Sequence, residues 1–110
     1  MRLPKNSVIP KDKLVRYLLL ARPEDDKSKF LANVGYTMAN WETLEKDIRY
    51  ALDTHEAVSQ GVNVYGEVFQ LRATWRGPNG KDVAVVTVWI QLSGTAETRF
   101  VTLFPDREVK

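Results

Sequence analysis

Hydrophobic and polar positions follow two different periods along this chain of 110 residues. Over residues 1–57, apolar side chains recur every three to four positions, most clearly at Leu44, Ile48 and Leu52, which is the spacing of an amphipathic helix. Over 58–104, short runs of β-branched and aromatic residues are separated by turn signals, as in antiparallel strands. This order of elements, helices first and strands afterwards, predicts an α+β fold in which N-terminal helices pack on one face of a four-stranded antiparallel sheet.

Capping and breaking residues set the boundaries of these elements. Because proline suits the first turn of a helix and glycine its end, helices are predicted at 10–22, at 25–34 and from 41 onward. The predicted strands cover 58–63, 68–76, 83–92 and 98–104, and residues 105–110 are predicted to be a tail. The length is that of one domain, so residues 1–110 are treated as a single unit.

A symmetric turn at 78–79 predicts how the second and third strands pair. It places Phe69 opposite Val88 and Leu71 opposite Val86 on the face that the helices cover. The other face is then predicted to carry Gln70, Arg72, Thr74, Thr87, Trp89, Gln91 and Thr102. We expect the function to lie on this second, uncovered face.

The predicted fourth strand adds to both faces. A symmetric turn at 94–95 places Phe100 beside Trp89 and Arg99 at the edge of the covered face, whereas a one-residue bulge would reverse the strand. An exposed tryptophan among polar groups can stack on a nucleic-acid base or anchor a protein partner. The alternative is that the C-terminal tail or another subunit covers it.

Composition excludes some chemistry without choosing a function. The chain has no cysteine, which excludes disulfides, thiol catalysis and cysteine metal sites and fits a reducing compartment. No apolar run is long enough to cross a membrane, and the leucines at 18–20 are too few for a secretory signal, so a cytoplasmic location without membrane contact is predicted. The net charge of +2 is weak evidence for nucleic acid, although the basic surplus lies within 1–29.

Lys27 is the most informative charged residue. It lies three and four residues before Phe30 and Leu31, which puts it on the apolar side of the second predicted helix. There it could contact a phosphate or stabilise developing negative charge; the alternative is a lysine whose ammonium group reaches back to water. Lys29 and Arg22 could extend a basic patch beside it.

Other candidate chemistry is sparse. His55 is the only histidine, so a histidine-pair ribonuclease mechanism is excluded, and its position after the third helix also suits a partner of the helix dipole. The adjacent carboxylates at 25–26 are interpreted as helix caps rather than metal ligands. Neither a glycine-rich phosphate loop nor a nucleophile elbow occurs, and neither a metal nor a cofactor is predicted.

Seven short segments occur in a characteristic order, at 25–31, 35–36, 41–44, 65–66, 77–80, 87–89 and 100–105. Together they resemble a family of small bacterial domains of unknown function that is associated with toxin–antitoxin pairs and polymorphic toxins. Members often carry His-Pro before the lysine, where this chain has Arg22-Pro23, so the resemblance does not extend to a histidine-dependent mechanism. The layout is also similar to that of RelE/ParE and colicin-type ribonuclease toxins, some of which cleave RNA with Lys, Arg and Tyr.

The residues and the resemblance lead to two hypotheses. The first is a toxin that acts on RNA as a metal-independent ribonuclease. Its predicted catalytic residues are Lys27, Arg72, Tyr65 and Thr87, and its predicted binding residues are Trp89, Gln70, Arg22 and Lys29. The second is a non-enzymatic interaction module that binds a cognate small antitoxin-like protein, or a second copy of itself as a homodimer.

Overall fold

The computed structural model describes residues 2–19, 27–95 and 97–107. Within these ranges the predicted α+β fold is confirmed, because helices precede a four-stranded antiparallel sheet. The predicted basic residue Arg22 and the predicted helix cap at 25–26 lie outside the described residues.

The first helical segment, Lys13–Leu18, is a π-helix rather than the predicted α-helix. The N–H of Leu19 donates to the carbonyl of Leu14, five residues back, at 2.9 Å. Because this turn is one residue wider than an α-helical turn, Leu14, Leu18 and Leu19 are all buried in the core.

The third predicted helix, whose apolar spacing is the clearest in the sequence, is confirmed by the structure. Leu44, Ile48 and Leu52 are completely buried along one side of it, while charged residues such as Glu42 face outward. The helical segments after the π-helix are α1 at Lys27–Ala32, a 3₁₀ turn at Met38–Asn40 and α2 at Trp41–Thr54. None of the helices in the described ranges has the length and apolar character needed to cross a bilayer.

The sheet follows the order of the chain. Its strands are β1 at Val58–Val62, β2 at Gly66–Arg76, β3 at Asp82–Leu92 and β4 at Thr98–Pro105. Neighbouring strands are antiparallel, and β1 and β4 form the two outer strands. The predicted tail therefore begins later than expected, since β4 extends to Pro105.

The pairing of β2 with β3 differs by one residue from the prediction. The turn is centred on Asn79, and the N–H of Gly77 donates to the carbonyl of Lys81 at 2.8 Å. Phe69 consequently pairs with Trp89, and Leu71 pairs with Thr87. Because successive strand residues point to opposite faces, a shift of one residue turns every β3 side chain to the other face.

This shift corrects the prediction that Trp89 and Thr87 lie on the uncovered face. Both side chains are completely buried on the covered face, packed with Phe69 and Leu71. The Trp89 Nε1 donates to Thr87 Oγ1 at 2.8 Å, and Thr87 Oγ1 donates to the Leu71 carbonyl at 3.1 Å. The two polar groups are therefore satisfied within the core and cannot touch a bound molecule.

β4 contains the one-residue bulge that the sequence analysis gave as an alternative to a regular strand. Trp89 pairs with Phe100 but Val88 pairs with Thr102, so Val101 is the extra residue. The predicted contact between Phe100 and Trp89 is confirmed: the ring centroids are 5.4 Å apart and the rings meet edge to face. Both side chains, however, lie on the covered face. The prediction that Arg99 lies on the covered face is wrong, because its side chain is exposed and bonds Glu97 at 2.7 Å.

The N-terminal segment covers part of the outer edge of β4. The N–H of Val8 donates to the Thr98 carbonyl, and the N–H of Phe100 donates to the Val8 carbonyl, both at 2.8 Å. Arg49 on α2 donates to the carbonyl groups of Lys5 and Ser7, which fixes the segment against the helix layer. At the opposite side of the sheet, all five residues of β1 are exposed.

Candidate functional site

The open face of the sheet, opposite the core, is built from two adjacent rows of cross-strand neighbours. Their outer members are largely polar and their central members are apolar. The rows are Gln70–Val88–Thr102 and Arg72–Val86–Phe104. This alternation makes a face that is apolar in the middle and offers polar groups on both sides.

Lys27 reaches this open face from the helical half of the molecule. Its Nζ donates to Thr102 Oγ1 at 3.1 Å, and its side chain is half-buried. Leu31, one turn further along α1, is completely buried in the core. α1 therefore lies beside β4 with its apolar side on the core and its first lysine directed round the strand to the open face.

Arg72 is held on the open face by a carboxylate from the end of β4. Its Nη1 lies 2.6 Å from Asp106 Oδ1; the Arg72 side chain is 48% exposed and that of Asp106 only 3%. The N–H of Asp106 donates to the Ala84 carbonyl at 3.0 Å, which extends the pairing of β4 beyond Pro105. A charge-assisted bond to a buried partner fixes the position of the guanidinium group.

Asp106 is the site residue that sequence reasoning missed. The sequence places it in the predicted C-terminal tail, since a single aspartate after Pro105 carries no periodic signal. Its importance depends on the pairing of β4 with β3, which brings it across the sheet to Arg72.

A cavity of about 300 Å³ opens beside Arg72, between the start of β1 and the middle of β2. Its residues come from the α2–β1 junction and from both strands: Glu56, Val58, Gln60, Gln70 and Arg72. Arg2 donates to Glu56 Oε1 from 3.3 Å at the outer rim. Gln70, a predicted binding residue, thus lines the same cavity as Arg72, and Glu56 is a lining residue that the sequence did not single out.

Two other predicted site residues lie away from this cavity. Tyr65 is exposed in the turn before β2, and Arg72 lies about 20 Å further along the extended strand. Lys29 is exposed on α1 and lines a separate groove with Phe30 and Asp106. The structure therefore brings together Lys27, Arg72 and Gln70 on the open face but leaves Tyr65 and Lys29 outside it.

The remaining titratable groups do not form a metal centre in the described part of the chain. Across residues 2–19, 27–95 and 97–107, three or more His, Asp or Glu side chains do not gather anywhere in a way that could hold a metal ion. His55 lies at the end of α2, where its Nδ1 is 2.8 Å from Thr54 Oγ1.

The chain belongs to the family described as the domain of unknown function DUF6883, whose model matches residues 2–107. This confirms the predicted resemblance to a family of domains of unknown function. A search of curated proteins finds no significant match.

Among solved structures, the chain is similar to one in a contact-dependent growth inhibition toxin–immunity protein complex from Klebsiella pneumoniae 342. The TM-score is 0.62 and the identity 20%, over 91% of this chain and 100% of that chain. At this identity the likeness shows the fold alone. The RelE/ParE and colicin layouts gain no support from these matches and stay a prediction.

Proposed function

We propose that this DUF6883 chain is the toxin-type domain of a toxin–immunity pair, and that it acts in the cytoplasm on RNA as a metal-independent ribonuclease. Its likeness in fold to a chain of a toxin–immunity complex supports the toxin association. The observation that carries the proposal is the convergence of two cations, Lys27 and Arg72, on one open sheet face. Gln70 lies at the β2 end of the row that contains Thr102 and supplies a polar contact.

The two cations are spaced to flank a nucleic-acid backbone. Lys27 is bonded to Thr102 on β4, and Arg72 lies on β2, so they approach from strands about 10 Å apart. Val88 of β3 lies between them and forms a partly exposed apolar floor, while its neighbour on this face, Val86, is buried. A phosphodiester above this floor would have a cationic side chain on each side, although Asp106 offsets part of the Arg72 charge. Hydrogen-bond donors at these two positions would stabilise the negative charge that builds up during cleavage.

The reaction that this arrangement favours is internal transesterification. The ribose 2′-oxygen forms a bond to phosphorus while the bond from phosphorus to the 5′-oxygen breaks. Solvent takes the proton of the 2′-hydroxyl and supplies one to the leaving 5′-oxygen, so the products are a 2′,3′-cyclic phosphate and a 5′-hydroxyl. Lys27 and Arg72 contribute by orienting the phosphate and neutralising its charge. Thr87 and Trp89 have no part in this proposal because both are buried.

Cleavage of RNA by the purified protein tests the proposal. In a chelator-containing buffer, we expect cleaved RNA with 2′,3′-cyclic phosphate ends. Lys27→Met keeps the half-buried stem but removes the ammonium, so it should lower the cleavage rate by about 100-fold or more, as for loss of one stabilising donor at a reacting centre. Lys46→Met, on the exposed side of α2, is the matched control and should cleave normally.

Two outcomes would overturn the ribonuclease proposal. One is the absence of RNA cleavage together with normal growth of bacteria that express the chain. The other is equal cleavage by wild type and Lys27→Met, because the lysine would then have no role in turnover.

A second candidate function, a non-enzymatic interaction module, is favoured by the exposed edge at β1. Val62 and Val64 are 76% and 86% exposed, and residues 57–66 carry no charge. Edge strands are usually protected by charged residues, so an uncharged apolar edge suits a docked protein. In this alternative a cognate small protein or a second copy binds there; Val62→Lys should abolish that binding, whereas Lys27→Met should leave it intact.

A further inference from the structure

The cavity beside Arg72 has the chemistry of a site for a nucleobase. We propose that it binds a guanine base of the RNA, an inference that rests on the proposed ribonuclease function and names its substrate preference. The cavity adjoins the row that holds Arg72, so a base inside it would be connected to a phosphate on the open face. Its volume of about 300 Å³ is at the lower end of the range for small-ligand sites.

The two walls of the cavity carry opposite charge. Glu56 at the α2–β1 junction is a carboxylate and therefore only accepts hydrogen bonds, while Arg72 on β2 only donates them. Each is positioned by a neighbour, since Arg2 donates to Glu56 at 3.3 Å and Asp106 accepts from Arg72 at 2.6 Å. An acceptor and a donor thus line one small space.

Guanine is the base that matches both walls. Its N1–H and N2–H donors lie side by side and suit a carboxylate, whereas its O6 and N7 acceptors suit an arginine. Adenine places an amino group beside ring nitrogen acceptors and offers a carboxylate fewer donors. Cytosine and uracil lack the second ring whose N7 an arginine reads together with O6. A cavity with a carboxylate on one wall and a guanidinium group on the other therefore favours guanine over the other three bases.

The rest of the lining fits the same occupant. Val58 is 63% exposed and offers an apolar surface to the flat side of a base. Gln70 projects from the neighbouring strand, and a primary amide both donates and accepts hydrogen bonds. Gln60 Nε2 donates to the Val58 carbonyl at 3.1 Å, so its amide group is bonded to the β1 backbone.

Binding of mononucleotides tests this inference without relying on cleavage. By titration calorimetry, guanosine 3′-monophosphate should bind about tenfold tighter than cytidine 3′-monophosphate. Inosine 3′-monophosphate, which lacks the N2 amino group, should bind about fivefold more weakly than the guanosine nucleotide because one hydrogen bond is lost.

A matched pair of carboxylate variants locates the site. Glu56→Gln should weaken guanosine 3′-monophosphate binding by about tenfold and leave cytidine 3′-monophosphate binding unchanged. Glu42→Gln, in the exposed first turn of α2, should change neither. Thermal unfolding of both variants checks that the fold is retained. Because the Glu56 side chain is exposed, its replacement should not disturb the packing of the core.

The possible failures separate this inference from the proposed function. Equal binding of all three nucleotides, no binding, or an unchanged guanine preference in Glu56→Gln overturns the guanine site, even if RNA is cleaved. Selective guanosine binding that Glu56→Gln removes upholds the guanine site, even if purified protein fails to cleave RNA and the ribonuclease proposal falls.

Discussion

At the scale of single residues, Tyr36 links the helix layer to the sheet through two hydrogen bonds. Trp75 Nε1 on β2 donates to the Tyr36 hydroxyl at 2.7 Å, and that hydroxyl donates to the carboxylate of Asp47 on α2. Burial, reinforced by the bond to Asp47, raises the pKa of Tyr36 well above its usual value. The hydroxyl is therefore neutral in the folded protein over the whole ordinary pH range.

Replacing this hydroxyl should reduce stability in a pH-dependent way. We expect Tyr36→Phe to lower the free energy of unfolding near neutral pH by about 1–3 kcal/mol, because Asp47 and Trp75 lose a shared partner. A pKa that is raised on folding contributes stability below the unfolded value of about 10 and loses it above, as the unfolded tyrosine ionises. The difference between wild type and Tyr36→Phe should therefore shrink above about pH 10.

Denaturant unfolding across this pH range measures the effect. Tyr50→Phe is the control, because Tyr50 is 69% exposed on α2 and its loss should change little. Equal stability of wild type and Tyr36→Phe near neutral pH would show that the buried network contributes nothing.

At the scale of elements, the turn that directly follows α1 docks on the turn between β2 and β3. The N–H of Asn79 donates to the Val34 carbonyl at 3.3 Å, and Asn79 Nδ2 donates to the Asn33 carbonyl at 2.8 Å. A Cβ added at Gly77 would lie 2.3 Å from the Val34 carbonyl oxygen. This close approach fixes the far end of the helix whose first residue is Lys27.

Gly77→Ala should consequently disturb both stability and the candidate site. Because the contact is with backbone, α1 has to move away, and we expect a loss of about 2 kcal/mol or more in unfolding free energy, as for other overpacked sites. Gly80→Ala is a useful comparison: nothing lies within 4 Å of its Cβ, and its φ of +89° alone should cost about 1 kcal/mol. A smaller loss for Gly77→Ala than for Gly80→Ala would contradict the docking of α1 on this turn.

At the scale of the whole molecule, the sequence predicts the layers better than the contacts between them. The regular spacing of Leu44, Ile48 and Leu52 identifies α2, and alternation and turn residues identify the strands. Pairing depends instead on the length of one turn, and its centre at Asn79 moves Trp89 from the open face into the core. Because β3 carries apolar residues on both of its faces, the alternation of hydrophobic positions does not distinguish between the two registers, and the turn decides.

The candidate site shows the same limit. Lys27 and Gln70 could be selected from their helix and strand positions, and the structure places both on the open face. Asp106 and Glu56 could not, because each is a single carboxylate whose neighbours come from distant parts of the chain. Tertiary pairing, which joins β4 to β3 and the α2–β1 junction to β2, creates both contacts.

The proposed RNA-binding surface is the open face with the adjoining cavity beside Arg72, rather than the helix layer or the outer edge of β1. Backbone amide shifts of isotope-labelled protein, titrated with an RNA oligonucleotide whose 2′-hydroxyls are methylated to block cleavage, test it most directly. Shifts are expected at Gln70, Arg72 and Thr102 and at the cavity residue Val58, with few changes on the exposed side of α2. Shifts confined to α2 or to the outer edge of β1 at Val62, or an unchanged spectrum, would contradict it.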